Sequence, residues 1–138
     1  MVESESGVIL SVPVRRDDPF TLVFVHSVHR TPVLEHFLIR GVGVMQLVAT
    51  EYESYGVGMP SLPSEGVFEQ QRSRFRLSQL NRRFSEIPLR VGPEAQLTLV
   101  REGMEYPVYK WLPAGSLVKL HVDGNRLWKI FHLFWEVF

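Results

Sequence analysis

Residues 20–25 of the chain read Phe-Thr-Leu-Val-Phe-Val, and residues 33–40 read Val-Leu-Glu-His-Phe-Leu-Ile-Arg. Both stretches are rich in β-branched and aromatic residues, and their two-residue alternation predicts strands. The first is apolar on both faces, which is typical of a strand inside a sheet. Because only a short connection containing Thr31-Pro32 separates the two strands, we expect them to form a hairpin.

The same alternation extends outward over most of the chain and predicts an antiparallel all-β fold. Eight or nine strands with turns every ten residues or so indicate a β-sandwich or a distorted barrel. Residues 64–86 allow two interpretations, since Arg72, Arg74 and Arg76 suit a strand with one basic face, whereas Leu77 to Phe84 also suits a helical turn. The other predicted strands are residues 8–14, 20–27, 33–40, 44–54, 89–91, 96–101, 104–112 and 117–122, with a hairpin turn at Glu102-Gly103.

The last segment departs from this alternation. Polar residues at 126, 129, 132 and 136 have helical spacing and are separated by large apolar residues. We therefore expect a short C-terminal aromatic helix. The chain is interpreted as one β domain over residues 1–138, with a β core at 8–122 and this tail at 123–138. The tail is expected to pack onto its own domain, to form a homodimer, or to contact a membrane surface through residues 126–138.

Composition excludes several classes of protein. The chain has 138 residues, of which 45% are hydrophobic and 22% are charged, so it is neither disordered nor a multi-pass membrane protein. Fifteen basic and fifteen acidic side chains give zero net charge, which argues against a nucleic-acid partner. Because cysteine is absent, a disulfide scaffold is excluded. The polar first seven residues lack the pattern of a signal peptide, which fits a cytoplasmic protein or a chain whose leader or anchor was removed.

Chemistry-bearing residues are concentrated near the predicted hairpin. One register places His26 and His36 on the same face, whereas a slip by one residue places His26 beside Glu35. His26, Glu35 and His36 are therefore candidate ligands for a metal ion, and His26, Ser27 and Glu35 are a candidate hydrolytic set. No diagnostic catalytic motif accompanies them, so the favoured interpretation is a non-catalytic pair that fixes the hairpin or orients a ligand, with no cofactor.

Two further segments have the composition of binding surfaces. The loop containing Ser54, Tyr55, Gly56 and Gly58 can present backbone N–H groups to an anion. Residues 67–92 contain six arginines and two glutamates, and guanidinium groups suit carboxylates and phosphates. The candidate binding residues are therefore His26, Ser27, Thr31, Glu35, Ser54, Tyr55, Gly56, Gly58, Arg72, Arg74 and Arg76.

Four segments resemble a prokaryotic family of domains of unknown function. They are His26-Ser27-Val28 with Thr31-Pro32-Val33 and Glu35, then Glu53 to Pro60, Pro88 to Gly92, and Leu112 to Ser116. The genes of that family commonly lie beside TRAP transporters of the TAXI type, which import organic acids with an extracytoplasmic binding protein.

The resemblance implies a transporter-linked role. We expect a non-catalytic, extracytoplasmic accessory or binding module, in the periplasm or on the outer face of the membrane, that engages an organic acid, the transporter's binding protein or its membrane subunit. Two alternatives stay open: a small metal-dependent or serine hydrolase that uses His26, Ser27 and Glu35, and a self-associating or membrane-peripheral structural protein.

Overall fold

The computed structural model describes residues 7–26, 30–53, 66–71, 74–124 and 129–136, and for residues 71 and 129–136 it describes the backbone. In these ranges every regular element is a strand except one 3₁₀ turn at Val108–Lys110, which confirms the all-β prediction. The strands are β1 (Gly7–Val14), β2 (Pro19–Val25), β3 (Pro32–Gly41), β4 (Val44–Glu53), β5 (Val67–Gln71), β6 (Arg74–Ser78), β7 (Arg82–Phe84), β8 (Ile87–Arg90), β9 (Thr98–Arg101), β10 (Met104–Tyr106), β11 (Leu117–Gly124) and β12 (Lys129–Glu136).

The strands form two antiparallel sheets. The larger sheet has eight strands in the order β10-β9-β2-β3-β4-β6-β5, with β7 also paired to β4. The smaller sheet has four strands in the order β1-β12-β11-β8. Over the described residues neither sheet closes on itself, so the barrel alternative is not supported. The expected Glu102-Gly103 turn is present between β9 and β10, with φ of 51° and 75° at its two residues.

The larger of two clusters of buried apolar residues lies between the two sheets. Leu22 and Phe37 of the larger sheet pack in the same cluster as Val118 and Leu120 of the smaller one. All four side chains are at most 3% exposed. Since alternate residues of a strand lie on opposite faces, these residues define the inner face of each sheet.

A β-bulge in β4 changes which residues lie on that inner face. His36 is opposite Ala49 and Phe37 is opposite Leu47, which leaves Val48 as the extra residue. The backbone N–H of Leu80 donates to the Val48 carbonyl at 3.0 Å and so satisfies the bulge. As a result Leu47 and Thr50, which are three residues apart, both lie on the inner face.

The predicted C-terminal helix is wrong, because residues 129–136 form strand β12. This strand lies between β1 and β11 and pairs with both over its length. A central strand is apolar on both faces, and such a short apolar run cannot be distinguished from a helix by periodicity. Hydrogen bonding on both edges then favours the strand.

Where the structure describes residues 64–86, their regular elements are strands. Phe75 and Leu77 of β6 are buried while Arg74 and Arg76 are exposed, as expected for a strand with one basic face. The alternative helical turn over Leu77 to Phe84 is wrong. The described strands outnumber the eight or nine expected, because the short strands β5 and β7 carry weak alternation and β12 was expected to be a helix. The strand predicted over residues 104–112 is shorter, since β10 ends at Tyr106 and a 3₁₀ turn follows. Within the described residues, no helix has the length and apolar character that a membrane span requires.

Candidate functional site

A hydrogen-bonded polar network crosses the outer face of the larger sheet. Thr21 of β2 is directly opposite His36 of β3, and their Oγ1 and Nδ1 atoms are 2.9 Å apart. The other ring nitrogen of His36, Nε2, contacts the Glu51 carboxylate on β4. Because a carboxylate only accepts, Nε2 donates, and in the neutral ring Nδ1 accepts from the Thr21 hydroxyl. Three adjacent strands therefore hold a hydroxyl, an imidazole and a carboxylate in sequence.

Two arginines of β6 continue the network on the far side of Glu51. Nη1 of Arg76 is 3.1 Å from Glu51 Oε2, and Nε of Arg74 is 3.8 Å from Oε1. The arginine side chains are 44% and 45% exposed, whereas Glu51 is 20% exposed. The carboxylate therefore lies beneath two guanidinium groups that face outward.

The charges around Glu51 determine its ionisation. Burial raises the pKa of the Glu51 carboxyl, but the hydrogen bond and charge of His36 and the charges of Arg76 and Arg74 outweigh burial. The pKa of Glu51 is thus lowered from its ordinary value. This carboxylate remains ionised at neutral pH and holds the two arginines in place.

Further carboxylates share this outer face. The register places Glu69 of β5 opposite Arg76, and Glu53 of β4 opposite Arg74. Opposite charges directly across an antiparallel pair stabilise it. The positive charge predicted from the sequence for this segment is therefore largely balanced by the neighbouring strands.

Glu35 occupies the opposite face from its neighbour His36. It is paired with Leu22 on β2 and with Thr50 on β4, so it lies on the inner face beside the core. Burial raises the pKa of the Glu35 carboxyl, and the nearby charge of Arg82 lowers it less. A half-buried carboxyl with a raised pKa is costly to ionise in this position.

The structure does not assemble the site predicted around His26. Strand β2 ends at Val25, and the pair opposite Glu35 is Leu22 rather than a residue near His26. His26 is four residues from Leu22, which is roughly 13 Å along a strand. It is also five residues from Thr21, the partner of His36. Neither the His26/His36 pair nor the His26–Glu35 pair forms, and the candidate metal set of His26, Glu35 and His36 is not brought together.

Several other predicted residues have defined positions or lie outside the described residues. Thr31 donates from its hydroxyl to the Glu53 carbonyl at 3.4 Å, and its own carbonyl accepts from the His26 N–H at 2.8 Å. The predicted site residues that lie outside the described residues are Ser27, Ser54, Tyr55, Gly56, Gly58 and Arg72.

Sequence reasoning missed Thr21 and Glu51 as members of the network. Tyr52, the residue after Glu51 in β4, is buried on the inner face. Because successive residues of a strand lie on opposite faces, Glu51 lies on the outer face. That signal was present, but the partner of His36 depends on the β2–β3 register and on the bulge at Val48. Neither follows from composition or alternation.

Comparison with known proteins assigns the chain to a family. A profile of the family described as Domain of unknown function (DUF1850) matches residues 20–108, roughly two thirds of the chain. The chain belongs to this family. No curated protein and no solved structure gives a significant match. The matched residues include the whole network from Thr21 to Arg76, whereas β1, β11 and β12 lie outside the match.

Proposed function

We propose that the chain is a non-catalytic, extracytoplasmic accessory module linked to a TAXI-type TRAP transporter. It binds a carboxylate, either of an organic acid or of an acidic side chain on a transporter component, through Arg74 and Arg76. The observation that carries this proposal is the pair of outward-facing guanidinium groups positioned over Glu51. The transporter link and the extracytoplasmic location rest on the resemblance of the segments quoted above.

The arginine pair has the chemistry that carboxylate recognition needs. A guanidinium carries five N–H donors in a planar fork, and the contacts with Glu51 involve Nη1 of Arg76 and Nε of Arg74. The two arginines are two residues apart on one strand and share a face, so their outer edges can receive one or two carboxylate groups. Because Glu51 already restrains them, less side-chain entropy is lost when a ligand binds.

The surrounding charges favour local recognition over long-range attraction. Glu53 and Glu69 lie on the same face, so the surface lacks the extended positive field that attracts polyanions. We therefore expect modest, salt-sensitive affinity for small carboxylates and no affinity for nucleic acid.

A hydrolase is the second candidate, since Thr21, His36 and Glu51 form a hydroxyl–imidazole–carboxylate chain. Acyl transfer also needs hydrogen-bond donors for the developing oxyanion. Thr21 lies within β2, which is paired on both sides with β3 and β9, so the nearby backbone amides belong to the sheet ladders. The arrangement therefore favours a positioning role for His36 and Thr21.

A third role, self-association or membrane contact through residues 126–138, draws on the aromatic composition of that segment. Strand β12 is hydrogen-bonded on both edges, so edge-to-edge pairing through it is disfavoured. A double substitution of Trp128 and Trp135 that leaves oligomeric state and liposome binding unchanged would remove this role.

The proposed function is tested with the full chain by isothermal titration with succinate and glutamate, and by copurification with the cognate transporter proteins. The double substitution Arg74→Gln with Arg76→Gln is expected to weaken carboxylate or partner binding at least tenfold. Arg15→Gln, an exposed arginine in the β1–β2 turn, serves as the matched control and should leave binding unchanged.

The outcomes distinguish the candidates. If the binding of small acids depends on the arginine pair, the chain is an organic-acid module. If only the binding of transporter proteins depends on the pair, the chain is a docking module. Equal binding by the wild type and the double variant would overturn the proposal. Turnover of a panel of esters that is abolished by Thr21→Val would support the hydrolase instead.

A further inference from the structure

One oxygen of the Glu51 carboxylate is shared by two nitrogen donors of different kinds. Oε2 contacts Nε2 of His36 on one side and lies 3.1 Å from Nη1 of Arg76 on the other. A guanidinium keeps its charge in proteins, whereas an imidazole is the side chain that ordinarily changes its charge between about pH 8 and 5. The charge on one side of Oε2 therefore depends on pH, and the charge on the other side is constant.

Thr21 allows His36 to hold either charge in one arrangement of the side chains. Its Oγ1 atom is 2.9 Å from Nδ1 of His36. Because a hydroxyl both donates and accepts, it donates to Nδ1 of the neutral ring and accepts from the same atom when the ring is protonated. Nε2 donates to Glu51 in both states. Both ring nitrogens of His36 therefore have a hydrogen-bond partner whether or not the ring is protonated.

Among the described residues, the charged groups that face His36 all belong to the network. On β4 it contacts Glu51, and on the far side of this carboxylate lie Arg74 and Arg76 of β6. On β2 it faces the uncharged Thr21. Its neighbours two positions away on β3 are apolar. More distant charged residues on this face of the sheet include Arg40, Glu53, Glu69 and Arg83.

A proton on His36 and a carboxylate on the arginine pair stabilise each other. A protonated His36 offsets the charge of Glu51 and competes with Arg76 for Oε2, which leaves more of Arg76 for an incoming carboxylate. Conversely, a carboxylate that attracts Arg76 leaves the negative charge of Glu51 to the imidazolium. The two effects are equal, because coupling between two bound species is reciprocal.

We infer that the arginine pair binds its carboxylate together with a proton, which His36 holds between Thr21 and Glu51. The inference rests on the proposed carboxylate site and adds a dependence on acidity to it. Arg74 and Arg76 recognise the carboxylate, whereas His36 is a positioning residue that acts through Glu51. The chain therefore binds the acid more tightly in acidic surroundings and releases acid and proton together as the pH rises.

Isothermal titration of the full chain with free glutamate at pH 8 and pH 6 tests this coupling. Tris and Bis-Tris are suitable buffers, because they are cationic and do not compete for the arginines. Carboxyl groups with ordinary pKa values, including those of the ligand, stay ionised over this range. We expect about fivefold tighter binding at pH 6, which is at the lower end of typical coupling between two sites. At pH 7, comparison of the heats in the two buffers should show proton uptake on binding.

Two histidine variants separate the coupling from binding itself. His36→Gln keeps a hydrogen-bond donor for Glu51 but cannot be protonated, so it should bind glutamate with no pH dependence and no proton uptake. His121→Gln is the matched control, because His121 Nε2 also lies near a carboxylate, 3.5 Å from Oδ2 of Asp123 on the smaller sheet. This control should retain both effects.

Nuclear magnetic resonance of the wild type gives a second measurement that does not require His36→Gln to fold. Saturating glutamate should raise the titration midpoint of the His36 ring by about 0.7 pH unit, the same fivefold factor, and leave that of His121 unchanged. Equal affinity at both pH values, or a pH dependence that persists in His36→Gln, would overturn the inference and leave the carboxylate site intact. No binding of glutamate at either pH would overturn the inference together with the organic-acid form of the proposed function.

Discussion

Glu35 and Glu51 have opposite electrostatic environments although they lie on neighbouring strands. Glu35 faces inward between Leu22 and Thr50, where burial raises the pKa of its carboxyl above the ordinary value. Glu51 faces outward, where His36, Arg76 and Arg74 lower the pKa of its carboxyl despite burial. Ionisation of Glu35 therefore costs stability, whereas ionisation of Glu51 contributes to it.

The matched substitutions Glu35→Gln and Glu51→Gln are expected to change stability in opposite directions at pH 7. Glu35→Gln should raise the free energy of unfolding by about 1 kcal/mol, because a poorly compensated buried charge is removed. Glu51→Gln should lower it by about 1–2 kcal/mol, because charge-assisted hydrogen bonds are lost. Urea unfolding of both variants and of the wild type measures the two differences.

The pH dependence of each difference has a definite sign. The stabilisation from Glu51 is present above the unfolded-state pKa of about 4.5 and is lost as pH falls through its lower folded-state pKa. The penalty from Glu35 develops as pH rises through about 4.5 to its raised folded-state pKa, and it is absent in more acidic solution. Glu105→Gln, an exposed control, should show neither effect. Parallel pH profiles for the two variants would contradict this assignment.

At the residue scale, the sequence identified some members of the site and missed their partners. His36, Arg74 and Arg76 are candidates because their residue types suit binding, whereas Glu35, also a candidate, lies on the opposite face of the sheet. Their partners depend on a register that sets Thr21, not His26, near His36. A hairpin register is fixed by the geometry of its turn, and a short connection that contains one proline is compatible with several registers.

At the scale of single elements, the start of the β5–β6 hairpin depends on a glycine. A Cβ atom added at Gly66 would lie 2.1 Å from the Ser78 carbonyl oxygen, which is backbone and cannot rotate away. Gly66→Ala is therefore expected to displace β5 from β6 and to lower the free energy of unfolding by roughly 1–3 kcal/mol. Chemical denaturation measures the loss.

Gly41→Ala is the matched control for this substitution. A Cβ atom at Gly41 meets no atom within 4 Å, so its stability should be unchanged or slightly raised by the reduced entropy of the unfolded chain. Equal stability of the Gly66 and Gly41 variants would show that the close approach at Ser78 is relieved without cost.

Most elements are predictable from alternation, and the exceptions have two causes, because β5 and β7 are short and β12 is central. Strands β1 to β4 are long, and in β2 and β3 the buried residues lie an even number of positions apart. Strand β12 is central, and its aromatic residues on both sides of the alternation hide the period.

At the scale of the whole molecule, Arg101 connects the two sheets. It belongs to β9 of the larger sheet, and its Nη2 donates to the Pro13 carbonyl of β1 in the smaller sheet at 2.9 Å. The Arg101 side chain is 10% exposed and also lies 3.9 Å from the Asp18 carboxylate. A buried guanidinium shared between a carbonyl and carboxylates is stronger than an exposed ion pair.

Arg101→Ala is expected to lower the free energy of unfolding by about 2 kcal/mol, the value typical of a hydrogen bond from a charged group. Arg83→Ala, in which an exposed arginine loses a contact with Asn81, should cost less than about 0.5 kcal/mol. Urea midpoints of the two variants make the comparison. A loss for Arg101→Ala no larger than that for Arg83→Ala would show that other contacts hold the sheets together.

The position of β12 also governs the order in which the protein can fold during synthesis. The ribosome releases β1 early, yet the strand that pairs with it, at residues 129–136, is made after all the other described strands. Pairing between such distant segments closes a long loop and is slow. The nascent chain can complete its larger sheet first. During this time β1 and β11 lack the strand β12 that pairs with them in the smaller sheet. Until β12 is released, those unpaired edges can pair with another chain, which makes the nascent protein prone to aggregation.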